Sequence, residues 1–150
     1  AVYGDHDAGI YDDELLDRFA PTGTTLDSDI QRRSVPLLVD LPGTEYDGTR
    51  VSSPTGQIDV APTLAHLLGI TPPGAMLGVD RLGSSSAPVV FRDGSFVDPD
   101  TYYSNDVGCR ALGTDDELPA AQCQERADQA VTQLRVSDLM LDHDLMAEYP

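Results

Sequence analysis

The sequence predicts an α/β fold with a mostly parallel central sheet, one β-hairpin and a helical C-terminal region. Three observations carry that prediction. Val35-Pro36-Leu37-Leu38-Val39-Asp40-Leu41 is a short apolar run closed by Pro42-Gly43, the pattern of a strand buried on both faces under helices. Pro88-Val89-Val90-Phe91-Arg92, Asp93-Gly94 and Ser95-Phe96-Val97 read as strand, tight turn and return strand. From about Ala120 to Met146, the spacing of Ala127, Val131, Leu134, Leu139 and Leu145 suits one long helix or two short ones.

The other elements follow in chain order. Ala1-Val2-Tyr3 reads as the end of a buried strand, with Gly4 letting the backbone bend as it leaves the sheet. Asp12-Asp13-Glu14 precedes Leu15, Leu16 and Phe19, and acidic residues in a first turn suit the positive end of a helix dipole, so a short helix is expected within residues 7–19. Residues 20–29 and 44–55, rich in Thr, Gly, Pro and Asp, read as surface loops. Pro36 belongs near the beginning of its strand, where it removes no essential donor. Asp59-Val60-Ala61-Pro62-Thr63 opens a helix carrying Leu64, Leu67 and Leu68, with Gly69 closing it. Residues 78–86 read as another surface segment, and residues 98–119 as irregular.

Composition narrows the function. The 150 residues carry 26 acidic side chains against nine basic ones, a net charge of −17, and all nine basic residues are Arg. Such a surface repels nucleic acid, whose binding needs clustered cations, and DNA or RNA partners are excluded. The acidity itself reads first as a solubility device, with a high-salt or GC-rich host and cation attraction as the alternatives. No run of about 18 apolar residues is present, so no membrane span is expected in this segment. Cys109 and Cys123 lack CxxC or Cys/His company, which argues against a zinc knuckle. They read either as a disulfide closing a loop of about 15 residues, worth roughly 3 kcal/mol and suited to an oxidising compartment, or as two buried thiols.

Chemistry concentrates at Tyr3-Gly4-Asp5-His6-Asp7. Asp5 and His6 are ligand types for a divalent metal, placed where a strand ends, which is where open α/β sheets carry function. Two ligands are fewer than the three or four a site needs. Asp7 reads as a solvated turn residue in preference to a partner for His6, His66 as a packing residue within its helix, and His143 as solvent-facing. Asp59 reads as a helix cap and Thr63 as structural. The acidic residues near Asp12 lack the glycine and terminal Glu of an EF-hand.

The ordered set Tyr3-Gly4-Asp5-His6, Val35-Pro36-Leu37 with Pro42-Gly43, Ile58-Asp59-Val60-Ala61-Pro62-Thr63-Leu64 ending in Leu68-Gly69-Ile70, and Phe91-Arg92-Asp93-Gly94-Ser95-Phe96-Val97 resembles the C-terminal part of the sulfatase-like branch of the alkaline phosphatase superfamily. Within it the set is most similar to the lipoteichoic acid synthases and related phosphoglycerol transferases. The resemblance spans residues 2–97, with a less specific echo at 133–145.

It implies that residues 1–150 are the C-terminal part of an alkaline-phosphatase-like domain. The upstream strands, a nucleophilic Thr and a further acidic ligand would lie before residue 1, so the chain alone is expected to be inactive. By matching positions, it implies metal ligation by Asp5 and His6, with manganese foremost and magnesium, calcium or zinc as alternatives. It implies a phosphate- or sulfate-ester substrate, lipid-linked ones included, and an extracytoplasmic location with a membrane-anchored parent. One departure stands out. The family has a serine after the Gly-Ile that follows its Asp-His pair, helping to bind the phosphoglycerol group, whereas here Ala8 stands as an insertion and Tyr11 follows Gly9-Ile10. Tyr11 is the matching substrate-binding candidate, a phenol of different reach. The rival readings are a sulfatase or phosphodiesterase with water as acceptor, and an acidic, non-enzymatic binding module.

Overall fold

The computed structural model describes residues 1–7, 9, 11–19, 30–41, 43, 48–72, 74, 76–83, 86–145 and 148. The expected loop at 20–29 and residues 44–47 of the loop expected at 44–55 lie outside them. The chain divides into two compact units, Ala1–Arg50 with Leu112–Asp116, and Val51–Ala111 with Glu117–Pro150.

In the first unit, β1 (Val2–Tyr3) pairs with β2 (Leu37–Leu38) antiparallel, Val2 opposite Leu38 and Tyr3 opposite Leu37. Both strands were expected to be buried and are not. Val2 is 70% exposed and Leu38 68%, because a two-residue ladder covers neither face. The α1 helix (Asp13–Phe19) begins where the acidic residues suggest. Asp12 caps it, its Oδ1 accepting from the Leu15 N–H at 3.1 Å, and Leu16 is its buried residue.

In the second unit, a 3-10 turn (Gln57–Asp59) runs directly into α2 (Val60–Leu67). Gly69 closes the helix as the sequence suggests. It takes φ +67°, its N–H reaches His66 O at 2.9 Å and that of Ile70 reaches Ala65 O at 2.8 Å. This pair of bonds satisfies the final carbonyls, and a side chain at Gly69 would pay for the left-handed conformation.

Strands β3 (Val89–Val90), β4 (Phe96–Val97), β5 (Thr101–Ser104) and β6 (Gly108–Ala111) form an antiparallel meander in chain order. The expected hairpin is present, with Val90 opposite Phe96. Its turn carries Arg92-Asp93-Gly94 between Phe91 and Ser95, Phe91 N donating to Ser95 O at 2.8 Å and Gly94 N to Phe91 O at 3.0 Å. The irregular stretch expected at 98–119 is instead largely a second hairpin, Tyr102 opposite Arg110 and Tyr103 opposite Cys109. All strand pairs among the described residues are antiparallel; the fold they define is mixed helix and sheet.

One helix, α3 (Ala120–Asp142), occupies the C-terminal region. Cys123, Ala127 and Ala130 form its buried stripe and pack with Phe96 and Cys109, flanked by Val90, Tyr103 and Leu118. This differs from the expected stripe. Val131 is 61% exposed and Leu139 44%, because small residues at i, i+4 and i+7 let the helix lie close to the sheet while the larger ones point elsewhere. Cys109 and Cys123 are joined as a disulfide, tying β6 to α3.

Candidate functional site

The Asp-His pair sits on the bend leaving β1. Gly4 N donates to Pro36 O at 3.1 Å, and a Cβ on Gly4 would fall 2.7 Å from Val35 Cβ. The close crossing of these two segments therefore requires glycine. It turns the next two side chains outward: Asp5 and His6 are 87% and 80% exposed, with His6 Nε2 3.7 Å from Asp5 Oδ1.

His6 Nδ1 lies 2.8 Å from the main-chain oxygen of Asp7. That contact makes Nδ1 the donor and leaves Nε2 as the face turned to Asp5. The imidazole pKa is raised, chiefly by this carbonyl acceptor and next by the Asp5 carboxylate. Asp7 thus meets His6 through its backbone.

The donor chemistry fits a divalent cation. Two ligands at about 2.1 Å from one ion can be no more than about 4.2 Å apart, and 3.7 Å falls within that reach. A main-chain carbonyl on the second ring nitrogen is the usual orientation device for a ligating histidine. Two donors are still half of a coordination sphere, and the described residues contain no group of three or more His, Cys, Asp or Glu that could hold an ion. Tyr11 lies just before α1, 82% exposed.

The second unit carries a polar cluster that sequence reasoning assembled only in part. Asp59 is 2% exposed. Its Oδ2 accepts from Gly56 N at 2.9 Å and Arg81 Nε at 2.7 Å, and its Oδ1 from Val79 N at 2.9 Å. Asp59 makes no side-chain cap to α2 itself; its carboxylate instead caps the preceding 3-10 turn through Gly56 N and ties it to the 79–81 segment. Arg81 also donates through Nη1 to Ala87 O at 2.7 Å. One turn along, Thr63 Oγ1 accepts from Arg81 N at 3.1 Å, a structural role as expected. A further turn on, His66 Nδ1 meets Asp80 Oδ2 at 2.6 Å. His66 is therefore a half-exposed partner of a carboxylate, where a packing residue was expected.

Burial pushes the Asp80 carboxyl up, but the Leu82 N–H, the His66 ring and the Gly83 N–H outweigh it, and the net shift is downward. A cavity of about 170 Å³ adjoins the cluster, walled by Ile58, Leu77, Arg81, Val89, Ala130 and Gln133 among others.

A second buried carboxylate, Asp98, organises the β4–β5 connection. It accepts from Asp100 N at 3.0 Å, Thr101 N at 2.8 Å and Thr101 Oγ1 at 2.7 Å, and pairs with Arg126 of α3. Asp80 and Arg81 fall in the 78–86 stretch expected at the surface, where Arg81 is instead 6% exposed; nothing local in the sequence marks Arg126 as a partner, whereas Asp98-Pro99-Asp100-Thr101 carries the turn composition that points to Asp98. His143 is exposed, as expected.

No protein-family model matches the chain. Direct comparison finds similar sequences among the lipoteichoic acid synthases, at 32–35% identity over about three quarters of this chain. The chain is 33% identical over 121 residues to the lipoteichoic acid synthase-like protein YvgJ of Bacillus subtilis, covering 78% of this chain and 19% of that protein. It is 32% identical over 128 residues to lipoteichoic acid synthase 2 of the same organism, covering 79% and 18%. It is 35% identical over 115 residues to the lipoteichoic acid synthase of Staphylococcus saprophyticus, covering 73% and 17%. The match thus spans less than a fifth of the length of these curated relatives. Among the described residues no helix is long and apolar enough to cross a membrane.

Proposed function

We propose that this chain forms part of a metal-dependent phosphoglycerol transferase acting outside the cytoplasm, with Asp5 and His6 as two ligands of a divalent cation, manganese foremost. The observation that carries the reading is the outward-turned pair, 3.7 Å apart, in a sequence similar to three lipoteichoic acid synthases. The remaining ligands and a nucleophilic Thr come, in this reading, from parts of the protein outside these 150 residues, so the chain alone is inactive. The sheet that completes the domain is mostly parallel, as in alkaline-phosphatase-like folds, and the parent is membrane-anchored.

A bound divalent cation would offset charge on the phosphate ester and help ionise an otherwise weak Thr hydroxyl. The chain's own residues prepare the place. Gly4 fixes the bend, the Asp7 carbonyl holds the His6 ring with Nε2 presented, and Asp5 supplies the negative charge beside it. Tyr11 is proposed as a hydrogen-bond donor to the substrate's polar group. The disulfide between Cys109 and Cys123 supports an oxidising, extracytoplasmic setting.

A second reading keeps the metal site and changes the acceptor to water, giving a phosphodiesterase or sulfatase. The phenol of Tyr11 in the place of a serine favours it, because a bulkier donor reshapes the site for the headgroup. Manganese binding by the full-length protein, measured by equilibrium dialysis, tests the shared core of both. Asp5→Ala and His6→Ala should each weaken binding by about 10- to 100-fold or more. Unchanged affinity in both variants removes the assignment.

A further inference from the structure

We propose that the fold depends on concentrated salt, so that the chain reaches full stability only when near-molar cations screen its surface. Of the acidic residues 21 are Asp and five are Glu, against nine Arg and no Lys. Among the described residues fifteen acidic side chains are exposed against five arginines. The structure sharpens that imbalance, since Arg81 and Arg126 spend their charge inward on the buried carboxylates of Asp59 and Asp98.

Spacing decides how much salt is needed. The acidic residues fall in tight groups, as at Asp115-Asp116-Glu117 and Asp142 with Asp144. Neighbouring residues have Cα atoms about 3.8 Å apart, and short Asp side chains cannot spread as longer ones could. The screening length is about 10 Å at 0.1 M and about 3 Å at 1 M. Ordinary ionic strength therefore leaves acidic groups that folding brings within about 10 Å of one another in repulsion, and molar salt weakens that repulsion strongly. Among the described residues the buried cluster of the second unit holds one Phe, two half-cystines and two Ala, flanked by Val90, Tyr103 and Leu118. Self-repulsion of a highly charged chain acts against the compact state.

The test is thermal unfolding of the full-length protein, followed by circular dichroism at 0.1 M and 2 M KCl. The midpoint should rise by roughly 10 °C or more between the two. A charge-reduced variant, Asp115→Asn, Asp116→Asn, Glu117→Gln, Asp142→Asn and Asp144→Asn, should unfold at a higher midpoint in 0.1 M KCl and gain less from added salt. Asn suits the positive φ of Asp115 and Asp144. Two molar sucrose separates screening from general exclusion of solute from the protein surface, and it should reproduce only a minor part of the KCl shift. Equal midpoints at 0.1 M and 2 M KCl, a variant that keeps the entire shift, or a chain unfolded at every salt concentration would each overturn the proposal.

Discussion

At Asp59 one carboxylate answers two backbone N–H groups and a guanidinium, all within 2.9 Å. The sequence marks this residue as special, because a polar side chain stands at the start of an apolar helix. Its partner is not legible there, since Arg81 lies 22 positions on, and nothing local pairs the two. Removing one member leaves the other buried and unpaired, so Asp59→Ala or Arg81→Ala should cost about 3–5 kcal/mol, whereas replacing both with apolar residues of similar volume should cost far less. Urea unfolding of the four proteins measures both differences. Asp80 adds a pH signature. Its folded-state pKa is lowered, so its contribution is present above the ordinary Asp range and is lost as pH falls through the depressed value. The stability gap between the wild type and Asp80→Asn should be present at about pH 5 and close as pH falls below about 4.

Elements were legible where one local signal dominated. Acidic residues before Leu15 and Leu16, the Pro62 and Gly69 that bracket α2, and Asp93-Gly94 between apolar runs each specify their element without help from distant chain. Strands β5 and β6 escaped notice because Asp, Asn and Gly surround them, although Thr101-Tyr102-Tyr103 has the β-branched and aromatic make-up of a strand. On α3 the large apolar residues drew the eye, and the face that packs is the one lined with Cys123, Ala127 and Ala130. There close approach outweighs side-chain size. The disulfide joins these two elements across a separation of 14 residues. Converting both cysteines to Ser should lower stability by roughly 3 kcal/mol, seen as a lower denaturation midpoint in matched urea titrations. An unchanged midpoint would mean that Phe96 and its neighbours hold α3 in place without the bridge.

Across the whole chain, the ordered motifs carried the family resemblance further than any element did. Asp5-His6, the Asp59-led helix start and the Phe91–Val97 hairpin keep their order over nearly a hundred residues, and the likeness to lipoteichoic acid synthases extends over about three quarters of the chain. A parallel sheet was read from the same apolar runs, but the described ladders are antiparallel. An apolar run states that a strand is covered and leaves open by what, and in which direction its neighbour runs. The candidate site is incomplete for a related reason. Sequence places Asp5 and His6 together because they are adjacent, while any further ligand must come from a distant segment.

The proposed metal site is tested most directly with the full-length protein stripped of metal, reloaded with manganese and given a lipid-linked phosphoglycerol ester. Release or transfer of its glycerol phosphate group is the readout. Turnover should vanish on metal removal, return with manganese, and fall by about a hundredfold or more in Asp5→Ala and in His6→Ala. Full turnover without metal, or undiminished turnover in both variants, would contradict it.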